Sequence, residues 1–214
     1  MRGKLSITAG EIAVVTGGRI ICGNDSIAVT DVTTDSREPA GLYIPIIGEK
    51  FDGHDFIEGL CRSGSVACSM TMRPGYEDVA ASTGTGLILC DDTLRALGAL
   101  GRHHREKYSP LMVGVTGTNG KTTTKELVHA ALSSAFETHK NEKNYNNEIG
   151  VPFTLMQLEE KHGAAVIEMG MNHTGEIERL SRIVMPDMGV ITSIGAGHLE
   201  FLGAWRTWHT PSAR

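Results

Sequence analysis

A chain of 214 residues with 40% apolar and 21% charged side chains can bury one large core or two modest ones, which excludes a disordered or fibrous class. Its formal charge of −5 argues against a general nucleic-acid binder, since such proteins carry a basic excess or stripe. No apolar run reaches the roughly 18 residues of a membrane span and residues 1–20 lack a signal-peptide core, so a cytoplasmic monomer without membrane insertion is expected.

Thr8, with Glu11 three residues on, has the spacing of a capping box and opens a short helix over 8–17. Residues 19–22 and 27–32 alternate as strands about the turn Gly23-Asn24-Asp25. A strand over 42–47, a polar loop over 48–55, a helix end at 57–62 and a strand at 66–70 complete a small α/β unit over 1–84. Residues 71–84 read as loop and place the domain boundary. The four cysteines, Cys22, Cys61, Cys68 and Cys90, have no CxxC spacing and read as buried or incidental thiols. His103 and His104 lie in a basic stretch that reads as the solvated end of a helix.

The second unit, over 85–214, opens with a strand at 86–90 and a helix that Asp91-Asp92-Thr93 caps and that runs to Lys107. A strand over 111–115 then feeds a glycine turn and a helix over 122–135, with Leu127, Ala130, Ala131 and Ser134 on one face. Residues 164–168 and 188–194 are continuous apolar runs, which suit strands of a parallel sheet buried on both faces. The fold class is therefore α/β: a small N-terminal α/β domain, then a partial, P-loop-type, parallel-sheet domain with ligands at the carboxyl ends of its strands.

The glycine turn is Gly114-Val-Thr-Gly-Thr-Asn-Gly-Lys-Thr122, and it carries the strongest chemical signal. Backbone N–H groups freed by glycine cradle phosphate oxygens, a lysine answers the β/γ charge, and a threonine hydroxyl can reach Mg²⁺. It departs from the strict GxxxxGK[ST] string, because Val115 stands where the first glycine would be. Lys121-Thr122 directly after Gly120 at a strand-to-helix junction nonetheless favours phosphate over a purely structural turn. Gly117, Thr118, Asn119, Gly120, Lys121, Thr122 and Thr123 are the nucleotide-binding set, with the amides of residues 118–122 on the β-phosphate. Glu168 ends an apolar run and is followed by Met169-Gly170, so it is a candidate magnesium ligand, direct or through water. His198 follows the last apolar run and is a candidate metal or substrate ligand at the same sheet edge. The amide-rich stretch around Asn146 and Asn147 reads on its own as a loop and helix start, with Asn147 capping.

In order along the chain, Thr34-Asp-Ser-Arg37, Gly41-Leu-Tyr43, Phe51-Asp-Gly-His54, the 117–122 loop, Asn146-Asn-Glu-Ile-Gly-Val-Pro152, Glu168-Met-Gly-Met171 and Gly197-His-Leu-Glu200 resemble the Mur ligase superfamily over about residues 5–203. These are ATP-dependent enzymes that build the peptidoglycan stem. The resemblance is strongest to the member that adds D-Ala-D-Ala to UDP-MurNAc-tripeptide through an acyl-phosphate. It implies ATP and Mg²⁺ as cofactors, with Lys121, Glu168 and His198 as catalytic residues. Thr122, Glu168 and His198 would be metal ligands, while Ser36, Arg37, Asn146 and Asn147 would be substrate-binding. It also implies a UDP-sugar-binding role for 1–84 and an ATP-binding role for 85–214. After Gly203 the family continues into a helix bearing a metal-holding lysine and then a C-terminal domain. Here no lysine follows Lys161 and residues 204–214 depart from the pattern, so a truncated, inactive form with an exposed, poorly soluble sheet edge is expected. Alternatives are a sister ligase, such as the one adding the third stem residue, a folate- or cyanophycin-type relative, or a nucleotide- or UDP-sugar-binding module without catalysis.

Overall fold

The computed structural model describes residues 2–38, 40–69 and 72–195. In chain order the elements are β1 (Arg2–Thr8), α1 (Ala9–Thr16), β2 (Arg19–Cys22), β3 (Ala28–Thr33), β4 (Leu42–Tyr43), a 3₁₀ turn (Gly53–Phe56), α2 (Ile57–Arg62), β5 (Val66–Ser69), α3 (Tyr76–Thr83), β6 (Leu87–Leu89), α4 (Thr93–Glu106), β7 (Leu111–Thr116), α5 (Lys121–Leu132), β8 (Thr138–Lys140), α6 (Gly150–Leu155), β9 (Ala164–Glu168), α7 (Glu176–Val184) and β10 (Met188–Ile191). They fall into two compact units, residues 1–107 with 155–157, and residues 108–154 with 158–214.

The first unit is built on a six-stranded mixed sheet in the order β1-β3-β4-β5-β6-β2, in which β3 to β6 run parallel and the two outer strands antiparallel. Both sides of the α1 capping box form: Glu11 N–H donates to Thr8 Oγ1 at 3.2 Å and Thr8 N–H to Glu11 Oε2 at 2.7 Å. Two buried tyrosines fasten the 3₁₀ turn. Tyr43 donates its hydroxyl proton to the Gly53 carbonyl at 2.9 Å, and Tyr76 donates to the His54 carbonyl at 2.6 Å. With Ile57, Leu60, Val79 and Leu87, these rings form the apolar cluster under the sheet.

The second unit is an all-parallel sheet in the order β10-β7-β9-β8. Every residue of β9 is buried, as its unbroken Ala-Ala-Val-Ile-Glu sequence requires of a central strand. Val128 and Leu132 of α5 pack on Val113, Val115 and Val166. This brings the first turn of α5, the end of β7 and the end of β9 to one edge of the sheet.

Several sequence expectations change. The β6 strand pairs with β5 and β2, and α4 belongs with it, so the units part after residue 107 rather than after 84. Residues 71–84 are not all loop. Tyr76–Thr83 is helical, bracketed by left-handed Gly75 and Gly84, and Tyr76, Val79 and Ala80 bury the i, i+3, i+4 stripe. Strand β4 stops at Tyr43, well short of residue 47. The inward face of α5 is Lys121, Thr124, Lys125, Val128 and Leu132, while Leu127 is 67% exposed. Among the described residues β10 lies at the edge of the sheet rather than buried on both faces, with Met188 53% and Ile191 64% exposed. Strands β1 and β8 had no counterpart in the sequence reading, although Leu5 and Ile7 alternate with Lys4 and Ser6 across β1. His104 is buried within the basic turn ending α4.

The capping box carries a stability prediction. Thr8→Ala should destabilise the first unit by about 1 kcal/mol in urea unfolding, while Thr8→Ser should retain most of that stability.

Candidate nucleotide-binding site

Strand β7 ends at Thr116 and α5 begins at Lys121, so residues 117–120 make the whole turn. Gly117 has φ of +135° and Gly120 has φ of +81°, backbone that a side chain would strain. At Gly117 space forbids one as well, because a Cβ would collide with the Thr192 hydroxyl and lie 2.9 Å from Ser193 N.

That close approach exists because the segment after β10 is fastened to the turn. Thr118 N–H donates to the Ser193 carbonyl at 2.9 Å, and Asn119 N–H to Ser193 Oγ at 2.9 Å. The Thr192 hydroxyl donates to the Asn119 carbonyl at 2.6 Å, and Gly195 N–H to Thr118 Oγ1 at 3.0 Å. The amides of Thr118 and Asn119 therefore serve the architecture, which narrows the expected phosphate cradle. The amides that helix geometry leaves without an intrahelical carbonyl are those opening α5, Lys121 to Thr123. They and the positive end of the helix dipole suit an anion at this sheet edge. Lys121 Nζ folds over the turn and donates to the carbonyls of Gly117 at 2.7 Å and Thr118 at 3.2 Å.

Glu168, the last residue of β9, is 2% exposed, and each of its carboxylate oxygens accepts a hydrogen bond. Thr122 donates its hydroxyl proton to Oε2 at 2.9 Å, and Asn146 Nδ2 donates to Oε1 at 2.8 Å. Lys125 Nζ stands 3.8 Å from Oε2 and donates to the Asn141 carbonyl at 2.9 Å. Asn141 is wholly buried and holds the main chain of Glu168 from both sides: Oδ1 accepts from Glu168 N at 2.9 Å and Nδ2 donates to Glu168 O at 3.0 Å. Gly170 lets Asn146 come close, since a Cβ there would lie 3.0 Å from the Asn146 amide group. The glycine after the acid thus admits a neighbouring side chain as well as space for a ligand.

Of the residues singled out from the sequence, the fold brings together the 117–123 stretch, Glu168 and Asn146. Asn147 instead caps α6, accepting from Gly150 N at 2.8 Å and Ile149 N at 3.2 Å. Ser36 and Arg37 lie in the first unit, where Arg37 forms a two-point pair with Asp35 and holds that carboxyl well below the usual carboxylate range. His198 lies outside the described residues. Lys125, Asn141, Thr192 and Ser193 were missed. Lys125 was legible in principle, being one helical turn from Thr122 on the same face, whereas Asn141 follows a strand that the sequence reading did not find.

The Thr122 hydroxyl and the Glu168 carboxylate are hard oxygen donors of the kind magnesium takes. Among the described residues no group of three or more His, Cys, Asp and Glu side chains forms a metal cage. The donor set fits a magnesium ion that shares phosphate oxygens and water with few protein ligands.

The chain is similar in sequence and fold to known proteins. Residues 115–207 match the Mur ligase middle domain model. Over that stretch the chain is similar to the Mur ligase family. It is 41% identical over 186 residues to the UDP-N-acetylmuramoyl-tripeptide–D-alanyl-D-alanine ligase of Bacillus subtilis, an alignment covering 84% of this chain and 39% of that one. Among solved structures it superposes on a MurF from Acinetobacter baumannii with a TM-score of 0.80 at 32% identity, over 96% of this chain and 45% of that one. It also superposes on the Thermotoga maritima MurF ligase in complex with ADP, with a TM-score of 0.69 at 30% identity, over 82% and 40% of the two chains. The chain therefore spans about two fifths of the length of these Mur ligases.

Asn141 should act through this site's architecture. Asn141→Leu, which keeps the volume but strands the amide and carbonyl of Glu168, should cost about 2–4 kcal/mol in denaturant unfolding. A loss below about 1 kcal/mol would show that Asn141 does not hold Glu168 as described.

Proposed function

We propose that the second unit binds magnesium and ATP for an amide ligase of peptidoglycan precursor synthesis, the kind that adds D-Ala-D-Ala to UDP-MurNAc-tripeptide. The observation that carries this reading is the 2.9 Å hydrogen bond from the Thr122 hydroxyl to the buried Glu168 carboxylate, at the opening of the helix that follows the glycine turn. A threonine whose proton is given to a carboxylate presents its lone pairs outward, where a cation between it and a nucleotide would sit. The ADP held by the Thermotoga maritima relative supports the nucleotide, and the named activity of the Bacillus subtilis relative supports the acceptor.

In this reading the α5 amides and Lys121 bind the β- and γ-phosphates, so Lys121 leaves the carbonyls of Gly117 and Thr118 for phosphate oxygens. Thr122 and Glu168 would hold magnesium, whose chemistry is to screen the γ-phosphate from the approaching substrate carboxylate. That carboxylate attacks the γ-phosphate to give an acyl-phosphate and ADP. The amine of the dipeptide then displaces phosphate, forming the amide and losing a proton. Asn146, committed to Glu168 Oε1, acts in orienting that carboxylate before any contact with substrate. The first unit would supply the UDP-sugar contacts through Ser36 and Arg37, and His198 would serve a second cation. Turnover in the complete ligase would draw on more than this chain, which spans two fifths of its relatives.

A second reading, a nucleotide- and sugar-nucleotide-binding module without turnover, rests on that same share of length. Calorimetric titration with Mg·ATP and with UDP-MurNAc-tripeptide, alongside a phosphate-release assay containing D-Ala-D-Ala, separates the two. Binding without phosphate release supports the module. In either case Lys121→Ala should weaken Mg·ATP binding by roughly 10–100-fold, the worth of a charge-assisted contact. Unchanged binding would place the nucleotide elsewhere.

A further inference from the structure

Lys125 is the one lysine among the most deeply buried large side chains, 1% exposed in the first turns of α5. A buried ammonium is costly unless paired, and its position here is specific. Nζ is 3.8 Å from Glu168 Oε2, 3.3 Å from Glu126 Oε1 and 2.9 Å from the Asn141 carbonyl oxygen. Glu126 is in turn paired with Lys140, which holds the Glu126 carboxyl below its ordinary value, and Glu126 faces solvent. The nearest fully buried countercharge for Lys125 is therefore Glu168, the carboxylate placed to receive a cation.

We propose that Lys125 is a positioning and gating residue that neutralises Glu168, so that the site takes a divalent cation only together with a nucleotide. This rests on the nucleotide reading given above. The electrostatics follow from the donor set. A single carboxylate and a hydroxyl beside a fixed ammonium have no net negative charge to offer a free metal ion, and no three-ligand cage lies among the described residues. Phosphate oxygens supply the missing charge and ligands, so metal and nucleotide bind together. Lys125 also lies 3.3 Å from the exposed Glu126, but that carboxylate is answered by Lys140 as well, which leaves Glu168 as the buried charge that Lys125 offsets. The Thr122 hydroxyl bonds that same oxygen, so the ammonium acts on the side of the carboxylate that faces the phosphate turn.

The test uses Mn²⁺ as the probe cation on the whole chain, reading the free-ion signal by electron paramagnetic resonance with and without ADP. Wild-type chain without ADP should leave Mn²⁺ free, and adding ADP should remove clearly more of the signal than the same ADP removes from protein-free Mn²⁺. Lys125→Met, nearly isosteric and uncharged, should bind Mn²⁺ without ADP about tenfold or more tightly than wild type. Adding Glu168→Gln to that variant should abolish the gain. Lys125→Gln provides a second uncharged side chain if the methionine variant does not fold. Nucleotide-free Mn²⁺ affinity no greater than wild type in a folded variant would overturn the proposal, and so would unfolding of both variants, which would make Lys125 structural. Failure of the wild-type chain to bind Mn·ADP at all would instead overturn the nucleotide site itself.

Discussion

A carboxylate that water cannot reach must be answered by donors and cations, and the second unit of this protein is arranged around one such group. Glu168 draws in a hydroxyl from the helix that follows the glycine turn, an amide from the segment before α6 and an ammonium from the second turn of α5. Its own main chain is gripped by Asn141 from the end of β8. These partners come from three parts of the sequence, α5, the segment after β8 and the segment before α6. The requirement to satisfy one buried charge therefore ties α5, β8 and β9 together alongside their apolar packing.

Close approach is the second constraint, and it accounts for two glycines. At Gly117 the turn must pass against Thr192 and Ser193, and at Gly170 the chain must leave room for the Asn146 side chain. The hydroxyls and carbonyls after β10 then lock Thr118 and Asn119, so the turn is held in shape by protein rather than by a bound anion. Preorganisation of this kind lets binding energy go to phosphate contacts instead of loop ordering.

How much of this was legible in the sequence depends on the range of the interaction. The glycine turn before α5, the α1 capping box and the buried β9 run are local patterns, and all were readable from spacing. The placement of Glu168 beside Thr122 also followed, because parallel strands deliver their carboxyl ends to one edge. What the spacing could not supply was direction. Apolar content grouped Leu127 with Ala130, Ala131 and Ser134 on one face of α5, whereas the helix is rotated so that Lys125 faces in and pairs with Glu168. The β10 run looked like a doubly buried strand because its composition is apolar, but among the described residues it has a neighbouring strand on one side alone. Helix α3 was hidden by the glycines that bracket it, which read as loop while acting as caps. Asn141 has no sequence signature, since an asparagine becomes a main-chain clamp only when two distant strands meet beside it.

The central claim, that the turn and Glu168 form one magnesium–nucleotide site, is tested most directly by a crystal structure of this chain grown with Mg·ADP. The β-phosphate should lie within hydrogen-bonding distance of the Lys121 to Thr123 amides, with Lys121 Nζ moved from the Gly117 carbonyl onto phosphate. The magnesium should sit about 2.1 Å from Thr122 Oγ1, with Glu168 in contact directly or through one water. A nucleotide bound away from this turn, or a metal with no contact to Thr122 and Glu168, would contradict the account.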